Sequence, residues 1–494
     1  MRFNILFGGK AGQGPNILSQ IIGEALVEQG YYVFYSRDYQ SLIRGGHNFN
    51  VLTFSNTPVY SNDSKIDIII ALDENTETTH KKELTENGII LRKNEENMYF
   101  AGALWKVLGF KFKELEEQIE KTGKRVEENL KEAKKGYETE KTRINIPEIK
   151  KEKRYFVNGA QGVAEGAIKS ELDVYYAYPM TPATSLLIEL AQSKGNHLTI
   201  ELENEIAVVN AGIGSAITGA KTMVGSSGGG FDLMTEGLSL TGQAEIPLIV
   251  YLAMRPGPGT GVATYTSQGD LQMARHCGHG EFFRMVVAPG TPEEAEELTS
   301  QCFYFSQKYK IPAIILSDKH LAESFFTLDK QGKITESEKT TKLKRYNSYE
   351  KDSEGNATEN AEVINSNIEK RLEKTKEIEK EAENFGMFKI YGKQDSKNLI
   401  VSYGSTKGAI LDAIKDLDFK FLQILYIEPF SQKIKSELEK AKRIILIENS
   451  ATGQLSEVIA EKTGIKIKEE NKILRYDGRP FLADELKEEI RRRR

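Results

Sequence analysis

At roughly 150 residues per domain, the 494 residues allow about three domains. Lys and Arg number 67 against 72 Asp and Glu, a formal charge of −5, which excludes a nucleic-acid binder working through a basic face. Two cysteines, Cys277 and Cys302, exclude a disulfide framework, a four-cysteine zinc site and an iron–sulfur cluster held by this chain alone.

The apolar stretch Met1–Phe7 is too short for a signal core, and runs such as Leu248–Met254 are strand-length, far below the ~18 residues that span a bilayer. The expectation is a reducing, cytoplasmic protein with no membrane partner. Block one, residues 1–111, opens with the apolar run Phe3–Phe7 and the loop Gly8-Gly9-Lys10-Ala11-Gly12-Gln13-Gly14. Ile17, Ile21 and Ala25 then recur at helical spacing. Val33–Tyr35, Val51–Phe54 and Ile66–Leu72 read as further strands, so the block opens like a doubly wound α/β domain. The glycines do not fall as G-x-G-x-x-G and no G-K-[ST] follows. Their loop either holds an anionic group at the helix start, with Gly12 and Gly14 as candidates, or only permits a tight turn. Arg44-Gly45-Gly46-His47 is either an exposed turn or a second anion contact through Arg44. Residues 112–154 are dominated by Lys and Glu and read as a solvated helix plus linker.

Block two, 155–328, alternates short apolar strands with helical segments, which implies a largely parallel sheet covered by helices. Its strand ends carry the chemistry. Tyr178-Pro179-Met180-Thr181-Pro182 stiffens a loop around a Thr hydroxyl. Glu201-Leu202-Glu203-Asn204-Glu205 precedes Ile206-Ala207-Val208-Val209; capping does not need three glutamates, so one is a candidate working acid. Gly225-Ser226-Ser227-Gly228-Gly229-Gly230 offers backbone donors, and Met254-Arg255-Pro256-Gly257-Pro258-Gly259-Thr260-Gly261 places one guanidinium suited to a carboxylate. Gln268-Gly269-Asp270 and His276–Glu281 follow; the two histidines lack a third convincing ligand, so no metal is expected. Residues 329–386 form a charged connecting segment ending in an exposed helix over Asn367–Glu383. Block three, 387–494, returns to α/β alternation through Asn398–Tyr403, Phe421–Tyr426 and Arg443–Ile447; the Arg491–Arg494 run reads as a solvated end.

These segments resemble the α-subunit of the 2-oxoacid:ferredoxin oxidoreductases (2-oxoglutarate synthase type) with the γ-domain fused at its N-terminus. The resemblance rests on Tyr178–Pro182, Glu201–Glu205, Ser226–Gly230 with Leu233-Met234-Thr235-Glu236, Arg255–Gly261, Gln268–Asp270 and Gly278-His279-Gly280. Tyr403–Gly408 and Glu448–Leu455 carry it in block three, and Gly8–Gly14 with Arg44–Gly46 in block one. It implies three domains: a γ-type domain, a domain binding the pyrimidine of thiamine diphosphate, and a domain like the C-terminal domain of transketolase. By it, Glu205 is the catalytic glutamate that hydrogen-bonds the pyrimidine, and Thr181, Arg255 and Thr260 bind substrate. Tyr178, Pro179 and Ser227 join Glu205 around the cofactor, while Gly12, Gly14 and Arg44 are the possible coenzyme A or anion site. Magnesium, the diphosphate contacts and a 4Fe-4S cluster are implied on a β-subunit, with ferredoxin accepting electrons and coenzyme A the acyl group. The favoured substrate is 2-oxoglutarate, ahead of pyruvate and branched-chain 2-oxoacids. Gly159-Ala160-Gln161 and Met254 depart from the family's Gly-Asn-Glu and Gln-Arg. A nicotinamide-dependent dehydrogenase would instead bind NADH tightly through block one, and a non-catalytic scaffold would tolerate alanine at Glu205, Thr181 and Arg255.

Overall fold

A computed structural model describes residues 1–40, 46–339 and 346–493, which fall into two units. The first comprises Met1–Val157, Ser324–Gln331 and Leu482–Arg491. Its β1 (Arg2–Lys10) runs into the glycine loop, and α1 (Pro15–Glu28) begins straight after. Gly14 caps α1 with φ 80°, a backbone that residues with a Cβ rarely adopt, and Pro15 supplies a preset first helical residue. The stripe that α1 buries is Leu18, Ile21, Ile22 and Ala25, whereas Ile17 is exposed, a correction to the helical face read from the sequence. Then follow β2 (Tyr32–Asp38), β3 (His47–Ser55), β4 (Ile66–Ala71), α2 (Glu74–His80), β5 (Leu84–Arg92) and α3 (Asn97–Val107). The sheet runs β5-β4-β1-β3-β2 and is parallel across β5, β4 and β1. It turns antiparallel at β3 and β2, because the eight residues joining those two strands are too few for a crossover helix.

The charged stretch after α3 holds α4 (Phe112–Lys121) and α5 (Val126–Thr139). Both are packed rather than merely solvated: Leu115, Ile119, Ala133 and Gly136 are buried. Next, β6 (Tyr155–Asn158) joins the far edge of this first sheet, beside a strand from later in the chain.

The second unit comprises Asn158–Glu323 and Gly332–Phe481. It opens with α6 (Gly159–Lys169), β7 (Val174–Ala177), α7 (Thr184–Gln192), β8 (Leu198–Glu201), α8 (Glu205–Ile217), β9 (Thr222–Ser226), α9 (Gly228–Ala244) and β10 (Leu248–Met254). Next come α10 (Leu271–His276), β11 (Met285–Val287), α11 (Pro292–Tyr309), β12 (Pro312–Asp318) and α12 (Lys319–Glu323). At this point β13 (Phe325–Leu328) returns to the first sheet, pairing antiparallel with β2. After α13 (Ala361–Ala382), buried only at Ile378 and Ala382, come β14 (Phe388–Gly392), β15 (Asn398–Tyr403), α14 (Lys407–Ala413), β16 (Lys420–Ile424) and β17 (Tyr426–Glu428). The chain closes with α15 (Lys433–Glu439), β18 (Arg443–Glu448), α16 (Gln454–Thr463), β19 (Lys472–Leu474) and α17 (Ala483–Arg492).

The second sheet, β17-β11-β12-β10-β9-β7-β8, is parallel from β11 to β8, and its strands β10 and β12 are buried at every position. Such continuous apolar runs are what a sheet covered on both faces requires. The third sheet, β14-β16-β15-β18-β19, is parallel except at β14. One apolar core joins the second and third sheets, from Val224 and Val250 to Val401, Leu422 and Leu446. Among the described residues no helix is long and apolar enough to cross a membrane.

Candidate functional site

In the second sheet, β7 lies between β8 and β9, so the chain leaves β7 toward one edge and leaves β9 toward the other. The crevice outside the carboxyl ends of two such strands is where open α/β sheets bind ligands. Four of the sequence-selected segments converge there.

Glu205 is the first residue of α8 and is 3% exposed. Asn204 caps the helix, its Oδ1 accepting from the Ala207 amide at 2.9 Å, so the glutamate is not spent on capping. Ser226, the last residue of β9, donates its hydroxyl to Glu205 Oε1 at 3.1 Å. A Cβ on Gly230 would overlap both Glu205 Oε1 and Ser226 Oγ, so only glycine at this turn of α9 admits the buried carboxylate. Ser227 precedes α9, is fully buried, and makes no side-chain cap; its Oγ has no hydrogen-bond partner. A buried, orphaned hydroxyl on the residue after the serine that holds the carboxylate is costly unless a polar ligand meets it. The pair therefore fits the pyrimidine edge of thiamine diphosphate.

Arg255 follows β10, and its Nη1 donates to the Thr181 carbonyl oxygen at 2.8 Å. Burial draws its pKa down, opposed by the negative charge of Asp270 and Glu205. The guanidinium thus faces two carboxyl groups while bonding a backbone oxygen. Thr181 is half-buried and lies before a cis bond to Pro182. Thr260 lies exposed on the loop beyond Arg255, and Tyr178 and Pro179 lie exposed after β7. Burial, with Asp232 adding to it against Arg255, pushes the Asp270 carboxyl up to about 6. Ser226, Gly230 and Asp270 lie within motifs visible in the sequence, but spacing alone gives them no role; the contacts that do so are tertiary.

The segments after these strands also expose apolar side chains: Tyr178, Ile206, Leu233 and Val262, which follow β7, β8, β9 and β10 in the chain, are 39%, 52%, 49% and 48% exposed. The His276–Glu281 segment is pinned by its backbone, with both histidines exposed: the Ser239 hydroxyl donates to the His279 carbonyl oxygen at 3.0 Å and accepts from its amide at 2.6 Å. Among the described residues no group of three His, Cys, Asp or Glu is arranged for a metal, and both cysteines are buried. Gln161 completes a capping box with Asn158 at the start of α6, which gives that departure from the family pattern a structural task.

Gly12 and Gly14 belong to the first unit. Their loop is closed by Gln13, whose Oε1 accepts from the Lys10 amide at 2.7 Å and whose Nε2 donates to the Leu72 carbonyl oxygen at 3.2 Å. Arg44 lies outside the described residues.

Residues 165–386 match the family model described as pyruvate flavodoxin/ferredoxin oxidoreductase, thiamine diphosphate binding, and residues 4–96 match pyruvate ferredoxin/flavodoxin oxidoreductase. A curated 2-oxoacid:ferredoxin oxidoreductase subunit alpha from a Sulfolobus species is 30% identical over 99% of this chain and 96% of its own. The 2-oxoglutarate synthase subunit KorA of Methanocaldococcus jannaschii is 28% identical over 59% of this chain and 87% of its own. Among solved structures, a 2-oxoglutarate:ferredoxin oxidoreductase from Magnetococcus marinus, with 2-oxoglutarate, coenzyme A and succinyl-CoA bound, aligns with TM-score 0.88. That alignment covers 100% of this chain and 99% of the other at 22% identity, a likeness of fold.

Proposed function

Because the chain belongs to the 2-oxoacid:ferredoxin oxidoreductase α-subunit family, we propose that it forms the pyrimidine and substrate side of an enzyme that oxidatively decarboxylates a 2-oxoacid to acyl-CoA and carbon dioxide. The observation that carries this reading is the buried Glu205 at the switch point, with Ser226 and Gly230 shaped around it and Arg255 beside it. Bound thiamine diphosphate supplies a nucleophilic carbon and an electron sink for decarboxylation. Toward it, Glu205 offers a fixed carboxylate to the pyrimidine edge, and Ser227 offers its unpartnered hydroxyl. Arg255 holds the substrate's carboxylate, a match of planar fork to planar anion, with Thr181 and Thr260 on either side of it in the chain. Tyr178 and Pro179 line the outer wall. The substrate favoured is 2-oxoglutarate, supported by the names of the synthase relatives.

The exposed Tyr178, Ile206, Leu233 and Val262 support a partner surface, since large apolar side chains on the same segments as the polar groups of the crevice are what an associating subunit would cover. A β-subunit would bring magnesium, the diphosphate contacts and a 4Fe-4S cluster, which two buried cysteines here do not provide. Electrons would pass to ferredoxin, and Gly12, Gly14 and Arg44 remain candidates for coenzyme A or another anion. The cytoplasm is the compartment this chemistry suits.

The test is Glu205→Gln in the complex co-purified with its partner. Viologen-dye reduction should fall about a hundredfold or more, the usual range for losing a positioned proton-transfer group, with the thermal midpoint retained. Near-normal turnover would overturn the assignment.

A further inference from the structure

One half-buried carboxyl at the crevice has no place in the scheme above. Asp270 immediately precedes α10, yet its side chain does not cap that helix. Its neighbours on both sides are tied to the chain from β15 to α16. Gln268 Nε2 donates to the Tyr403 carbonyl oxygen at 2.9 Å, and the Asn449 amide donates to Gln268 Oε1 at 2.8 Å. The Gln272 amide donates to Gln454 Oε1 at 2.9 Å, and Arg275 pairs with Glu428 and Glu461, each at 2.8 Å. Asp270 alone turns the other way, toward the start of α9: a Cβ on Gly228 would lie 2.5 Å from its Oδ2. That Oδ2 is buried and accepts no hydrogen bond.

The charged groups that act on Asp270 are Arg255 from the loop after β10 and Asp232 from α9; the Tyr403 hydroxyl of β15 is already engaged with the Gln268 carbonyl oxygen at 3.1 Å. Arg255 in turn feels Glu205 as well as Asp270. One guanidinium is therefore within electrostatic reach of two internal carboxyl groups before any substrate arrives. A substrate carboxylate adds another negative charge in a partly dry crevice, where charge is poorly screened. The two internal groups are not equally easy to neutralise. Glu205 Oε1 holds a hydrogen bond from Ser226, whereas Asp270 Oδ2 has none to lose and would gain a donor.

We propose that Asp270 is a positioning residue that takes one proton from solvent as the 2-oxoacid's carboxylate settles on Arg255, and returns it to solvent when that charge leaves the site. The inference rests on the reading of Arg255 as the carboxylate-binding group. The uptake is balanced: one bulk proton converts one aspartate to the acid, and the reverse restores it. The raised pKa of Asp270, about 6, leaves it ionised near neutral pH yet within easy reach of protonation by an added anion.

The experiment uses the complex of this chain with its partner, loaded with thiamine diphosphate, in wild-type, Asp270→Asn, Asp270→Glu and Arg255→Ala forms. Steady-state KM and kcat for 2-oxoglutarate are measured from roughly pH 6 to pH 8. Binding of the 2-oxoacid's phosphonate analogue, which cannot lose carbon dioxide, is followed by calorimetry in buffers of different ionisation enthalpy. The wild type should show KM rising several-fold with pH while kcat moves less, and a net proton uptake on binding. Asp270→Asn should hold KM low and flat with no uptake, and Asp270→Glu should restore both trends. If Arg255→Ala leaves KM unchanged, the carboxylate reading fails. If it raises KM while Asp270→Asn keeps the wild-type slope and uptake, the Asp270 proposal alone is overturned. Absence of proton uptake by the wild type overturns it however the variants fold.

Discussion

Glu205 and Glu448 are both buried carboxyl groups, and their surroundings give them opposite uses. Glu205 keeps one oxygen for Ser226, whose chain neighbour Ser227 has an unpartnered hydroxyl, an environment built to meet something else. Glu448, at the end of β18, is satisfied from within: Leu455 donates its amide at 3.0 Å and Ser450 its hydroxyl at 2.8 Å, closing the loop before α16. Even so, burial outweighs those donors and pushes Glu448 up to about 7. A carboxyl raised in the folded state contributes stability fully below its ordinary value, and that contribution is lost as pH rises through about 7. The loss amounts to roughly 3 kcal/mol. Glu448→Gln removes the titration, and the Ser450 hydroxyl can turn to accept from the new amide. Denaturant unfolding should therefore show the wild type losing roughly 3 kcal/mol more than the variant between pH 5 and pH 8; parallel curves would refute this. Glu294 behaves oppositely: burial would raise it, but Lys407 and Lys389 hold it near 2, so its contribution is lost only in strong acid. At this scale the sequence revealed Glu205 and Arg255, because a charge at the end of an apolar run is conspicuous. It hid Asp270 and Gly230, whose significance is an orphaned oxygen and a close approach across elements.

Among the elements, the strands were the most legible and the charged helices the least. Continuous apolar runs such as Leu248–Met254 can only be buried strands at that length, and they are. The Lys- and Glu-rich stretch after α3 reads as solvated because its few small residues carry no apolar signal. Yet α5 crosses α3 through two glycines: a Cβ on Gly102 would overlap the Ala133 carbonyl, and one on Gly136 the Tyr99 carbonyl. Backbones this close leave no side chain to yield. Gly136→Ala should cost about 3 kcal/mol or more of the first unit's stability. Lys134→Ala, exposed on the same helix, should stay within about 0.5 kcal/mol. Equal thermal midpoints for the two variants would contradict the packing described. The direction of β3 was likewise invisible to periodicity, since an eight-residue connection, not the strand pattern, makes it antiparallel.

On the scale of the whole chain, the third sheet acts at a distance from the chemistry it serves. Gln268 binds the backbones of Tyr403 and Asn449, fixing the segment that carries Asp270, so a domain without a catalytic group still shapes the crevice. Both cysteines are buried, so under the proposed reading the electron carrier belongs to a partner subunit. Composition and the strand-end motifs suggested that division of labour, and co-purification with the partner is what tests it. What composition could not convey is which carboxyl groups share Arg255, because that depends on how three loops meet. In the function proposed, this chain is one half of a 2-oxoacid-oxidising site. The direct measurement is to co-purify it with its partner subunit and assay a panel of 2-oxoacids for coenzyme-A-dependent reduction of a viologen dye. The complex should reduce the dye, fastest with 2-oxoglutarate, and the chain alone should not. Failure of the complex to reduce the dye with any 2-oxoacid of the panel would contradict that function.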